Sequence, residues 1–221
     1  MRSPVRVIVG AVALIALLGG AAGSTAGARI EPLVGHYSTV EMASVDTDQF
    51  FPEVCVGQPI IGLAVDLAAW QEVRALRDLG LPACSVTWRF GPLVDIYGEA
   101  GDDATTGQVT ILINGDPAKY AGDVDPAWAI RSVIRHEFGH ALVFMSGWSS
   151  QADHPDLRAL FPDPLVRSNS GTMPGHEAAA DAIATVLAER RGENQKRFYV
   201  DTPSAASLAN AEMIITDAPA A

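Results

Sequence analysis

The chain has 221 residues, 48% hydrophobic and 19% charged, with a formal net charge of −11. That length supports one ordinary domain with its own core, and the composition is that of a globular protein rather than a disordered one. So acidic a chain repels phosphate backbones and anionic lipid, which argues against a nucleic-acid partner.

The first 28 residues read as a secretory signal peptide. Arg2 and Arg6 form a basic start, Val7 to Leu18 is an apolar run, and Ala26-Gly27-Ala28 is a small-x-small cleavage signal. Cleavage is expected after Ala28, which takes the net charge to −13 and leaves residues 29–221 as a single secreted domain. The alternative is an uncleaved anchor, but the run is short against the roughly 20 residues a span needs. Cys55 and Cys84 are the only cysteines. In an exported chain such a pair is expected to form a disulfide, adding about 3 kcal/mol by restricting the unfolded chain.

Residues 29 to about 60 lack a sustained period. Residues 62–79 have helical spacing, and Gly80 suits their end. "CSVTWRF" alternates as a half-buried strand, "LVDIYGEA" is a second candidate strand, and "GEAGDDATTG" reads as a surface turn. "QVTILIN", 108–114, alternates most cleanly. A helix is expected from Pro126, capped by Asp125, to Met145 or Ser146, with Gly147 ending it. After a Pro-, Ser- and Gly-rich connector comes a second helix over 175–192, and Thr202-Pro203 opens a third. Trp70, Trp88 and Trp128 read as core, and Trp148 as a residue lining a cleft.

The first long helix carries "HEFGH", His136 to His140. Residues i and i+4 share a helix face, so both histidines can meet one metal ion. Glu137 lies about 100° round the helix and reaches instead toward a water on that ion. Metal-bound water is acidified, and the carboxylate can take its proton during attack on a carbonyl. A chain with five histidines and ten glutamates would show this pattern by chance only about 0.005 times. Two satisfied core histidines are the competing reading, since they align with Ala129, Val133, Val143 and Gly147. The second helix carries "EAAAD", which places Glu177 and Asp181 one turn apart. One carboxylate can bind the metal while the other receives the far ring N–H of a ligating histidine. Ala178 to Ala180 between them would let the two helices approach closely.

HEFGH followed by EAAAD resembles the gluzincin branch of zinc metallopeptidases. The resemblance implies His136, His140 and Glu177 as Zn2+ ligands, Glu137 as general base and Asp181 as partner of a ligating histidine. It implies an α+β, zincin-like fold: a small mixed or antiparallel sheet, with an edge strand over the HExxH helix and a second ligand-bearing helix. "QVTILIN" stands where such enzymes keep the edge strand that pairs with extended substrate. The implied function is hydrolysis of protein or peptide; with the signal peptide and the acidic charge, the expectation is a secreted monomer that contacts no nucleic acid, and no membrane after signal cleavage. The gap from His140 to Glu177 is 37 positions, longer than in the compact thermolysin pattern. The metzincin pattern is not met, because Val143 and Ser146 stand where it needs Gly and a third His. His154 and His176 remain alternative third ligands. Candidate oxyanion or substrate contacts are Tyr120, His154, His176 and Tyr199. The competing function is an exported binding or structural module that keeps the metal as a staple.

Overall fold

The computed structural model describes residues 64–219, apart from 92, 94, 104, 151 and 168–171. The expected signal segment and Cys55 lie outside the described residues. Cys84, in a 3-10 turn over Ala83–Ser85, is disulfide-bonded.

The fold is mixed α+β. Helix α1 spans Ala64–Asp78. Strands β1 (Val86–Gly91), β2 (Gly98–Asp102) and β3 (Val109–Asn114) form a sheet of order β1-β3-β2. β1 runs parallel and β2 antiparallel to β3. Then follow α2 (Pro117–Tyr120), α3 (Pro126–Met145), α4 (Pro155–Leu160), α5 (Pro174–Glu189) and α6 (Ala205–Asp217).

The period-2 alternation of β1 and β3 puts Val86, Trp88 and Phe90 opposite Val109, Ile111 and Ile113, all buried. This apolar face rests on α3, which also packs against α1 and α5. Phe138, the central residue of HEFGH, stacks on Trp88 with ring centres 6.1 Å apart. One helical turn therefore serves both the core and the site: Phe138 faces the sheet while the histidines face α5. Asp125 caps α3 by accepting from the Trp128 N–H at 3.0 Å, and Gly147, at φ +93°, ends it.

Four expectations need correcting. "QVTILIN" is the central strand, because β1 and β2 both pair with it. The edge strand over α3 is β2, built from GEAGD, which reads as turn by composition. Strand propensity there is weak, and pairing with β3 along five residues holds it. The true turn is confined to 103–107, where Asp103 Oδ1 accepts from the Thr105 and Thr106 N–H groups. Of the candidate strand LVDIYGEA, Gly98 to Ala100 fall in β2, whereas Leu93, Asp95 and Ile96 lie outside the sheet. Trp128 is only half-buried; its indole N–H reaches the surface and donates to the Asn194 carbonyl at 2.8 Å. The connector after α3 contains α4, a helix the sequence does not announce.

Candidate metal centre

Two close approaches build the centre. Gly139 lies against the backbone of Ala180; a Cβ there would sit 2.9 Å from the Ala180 Cα and carbonyl oxygen. Small residues on both helices thus let α3 and α5 touch backbone to backbone, which brings Glu177 to the histidines. Gly98, at the start of β2, lies against Glu137; a Cβ there would meet the Glu137 Cγ at 2.7 Å.

His136, His140 and Glu177 converge. Glu177 Oε2 is 3.2 Å from His136 Nε2 and 3.3 Å from His140 Nε2. Two donors about 2 Å from a tetrahedral ion stand about 3.3 Å apart, so the spacing is that of shared coordination. Glu177 Oε2 is buried and makes no hydrogen bond, although buried carboxylate oxygens normally have a partner. These three side chains could therefore hold a metal ion.

Asp181 completes the wiring. Its Oδ1 lies 2.8 Å from His136 Nδ1, and its Oδ2 accepts from the Tyr199 and Val200 N–H groups, each at 2.7 Å. A carboxylate so engaged takes the Nδ1 proton of His136 as a hydrogen bond, leaving the Nε2 lone pair for a metal. His136 is 4% exposed and His140 8%. Burial opposes charging of His136, but Asp181 and Glu177 outweigh it and raise its pKa well above the ordinary imidazole value. Burial would raise Glu177, yet His140 and His136 hold it well below the usual carboxylate range. The Glu137 carboxyl is pushed up to about 7, chiefly by burial, against the pull of both histidines.

No family model, curated protein or solved structure matches the chain. The centre is consequently read from its own residues.

The four oxyanion candidates separate. Tyr120 is fully buried and donates its hydroxyl to the Asn114 carbonyl at 2.9 Å, so it is a core residue and is withdrawn. His154 and His176 are not in the metal group; they pair with each other on the far side of Phe144. Tyr199 stacks on the His136 ring at 5.6 Å and 22°. Burial first, then Glu177, Glu137 and Asp181, raise its hydroxyl pKa, which keeps the phenol protonated beside the centre.

Sequence reasoning missed three contributors. Asn114 is 1% exposed; its amide donates to the Leu93 and Ile96 carbonyls, fixing the loop that delivers Gly98 to Glu137. Glu72 and Arg135, both fully buried, form a two-point ion pair at 2.7 and 3.1 Å one residue before His136. Arg135 also meets Glu193, and Arg191 meets Glu72. An Asn ending a strand, a Glu on an amphipathic helix and an Arg beside a histidine carry no local signal of these roles.

Proposed function

We propose that the chain is an exported zinc-dependent endopeptidase of the gluzincin type, with a zincin-like fold. The observation that carries this reading is the Glu177 oxygen without a hydrogen bond, 3.2 and 3.3 Å from two imidazole nitrogens as co-ligands of one ion would be, with Glu137 beside them and Asp181 behind. Two nitrogens and one oxygen suit zinc, and three protein ligands leave a tetrahedral ion one position for water. A structural staple would use a fourth protein ligand and has no need of Glu137.

Zinc, when bound, supplies the Lewis acid that acidifies a water and polarises a carbonyl. Glu137, buried and with a pKa near neutrality, takes the proton of the attacking water and passes it to the leaving amine. Asp181 keeps the His136 ring in one tautomer and orientation. The protonated Tyr199 hydroxyl is the donor assigned to the carbonyl oxygen as negative charge builds there. An extended peptide is taken as an added strand along the edge of β2, which runs past Glu137.

The test uses the chain from Arg29, zinc-loaded, digesting casein and a peptide library. Cleavage is expected, with loss on chelation and recovery on adding zinc. Glu137→Gln is expected to keep one zinc while hydrolysis falls by about 10²–10⁴-fold. Cleavage by that variant at the parent rate would exclude the mechanism; a zinc-loaded parent that cuts nothing would favour the staple.

A further inference from the structure

The second histidine pair lies outside the centre and has no part in the proposed reaction. His154 stands at the N-cap position of α4 without a side-chain capping bond, and His176 lies in the first turn of α5. Their ring centres are 5.8 Å apart with planes at 52°. In the metal group, His136 and His140 stand 4.9 Å apart. Two imidazoles sharing one ion through nitrogens about 2 Å from it place their ring centres about 5–6 Å apart. Both pairs fall in or beside that range.

The ring nitrogens decide what the second pair can take. His176 is 1% exposed, and its Nε2–H donates to the Ala152 carbonyl at 3.2 Å. Its Nδ1 is therefore the nitrogen with a free lone pair, and it is buried without a hydrogen-bond partner. His154 Nε2 is likewise buried and unpartnered. A core histidine would satisfy both nitrogens. A ligating histidine gives one N–H to a carbonyl or carboxylate and keeps the other nitrogen bare, as His136 does with Asp181. His176 is wired in the same way. Phe144 and Trp148 wall the pair, with ring centres 5.8 Å from His176 and 5.5 Å from His154.

We propose that His154 Nε2 and His176 Nδ1 form a second binding site for a borderline divalent transition-metal ion, water completing its coordination. Neutral imidazole selects zinc, nickel and copper over magnesium or calcium. With two protein ligands the site is weaker than the three-ligand centre. It does not depend on the peptidase reading.

Trp148 provides a reporter, because nickel(II) quenches a nearby indole. Tag-free chain from Arg29 is titrated with nickel(II), bound metal is counted after equilibrium dialysis, and fluorescence is followed, with Trp148→Phe identifying the signal. The parent is expected to bind two equivalents, the weaker one quenching Trp148. His154→Ala is expected to keep the tighter equivalent and lose the weaker one with its quenching; His154→Gln, closer in size, repeats the test should the alanine variant fold poorly. His136→Ala is expected to retain the quenching equivalent, which separates this site from the first. A parent that binds a single equivalent, or a His154 variant that keeps both, overturns the proposal.

Discussion

Arg135 and His136 are neighbours on one helix, yet they enter two buried charged clusters of opposite kind. Arg135 faces Glu72 and Glu193, Arg191 joins from beyond α5 and Arg131 meets Glu193 at 3.8 Å, so three cations meet two anions and neither carboxylate lacks a counterion. His136 faces Glu137, Glu177 and Asp181 with only His140 to help. With neutral imidazoles that second cluster holds three carboxylates and no cation. The first cluster closes on itself and joins α1, α3 and the segment after α5. The second is balanced only by a cation or by protons, and Glu177 Oε2 is left without a hydrogen bond. Burial makes uncompensated charge costly, so the two clusters teach the same rule from opposite sides: one is finished by the chain, the other by what it binds.

Glu177→Ala should break the open cluster most severely. Metal affinity is expected to fall by more than the roughly 10–100-fold that loss of an orienting partner costs, measured by competition with a coloured chelator. Unchanged affinity would place the ion elsewhere. Glu72→Ala should break the closed cluster and leave Arg135 buried with less counter-charge. The expected cost is about 3–5 kcal/mol in urea unfolding, with one equivalent at the first centre retained in the folded fraction. If that centre were emptied instead, the two clusters would not be independent.

Asp181→Asn keeps the shape and removes the charge behind His136. Metal affinity is expected to drop about 10–100-fold, with the fold retained as judged by circular dichroism. Gly98→Ala sharpens the comparison least drastically. The added methyl displaces the Glu137 carboxylate without touching a ligand, so turnover is expected to fall about tenfold at unchanged metal content. A loss of metal would mean that Gly98 shapes the ligands rather than the base.

The open cluster was largely legible from sequence, and the closed one was not. HEFGH and EAAAD fall on helices whose period fixes which side chains share a face, so spacing alone brings the right residues together. The contact between the helices was readable from the alanines, though the sequence did not single out Gly139 as their counterpart. Glu72 sits on an amphipathic helix among arginines, where a buried acid looks like a solvated one until its partner from α3 is known. β2 was only half-read, as the end of the candidate strand LVDIYGEA and the start of a turn, because Gly-Glu-Ala-Gly-Asp has little strand character of its own and takes its conformation from β3. Tyr199 and Val200 reach Asp181 from beyond α5 through main-chain N–H groups, which no side-chain pattern encodes.

X-ray absorption at the zinc edge, on the chain from Arg29 loaded with one equivalent, tests the central claim most directly. Two imidazole nitrogens and oxygen donors at about 2.0–2.2 Å, with one imidazole lost in His140→Ala and an altered oxygen shell in Glu177→Ala, are the expected result. A shell containing sulfur, or one indifferent to both substitutions, would contradict it.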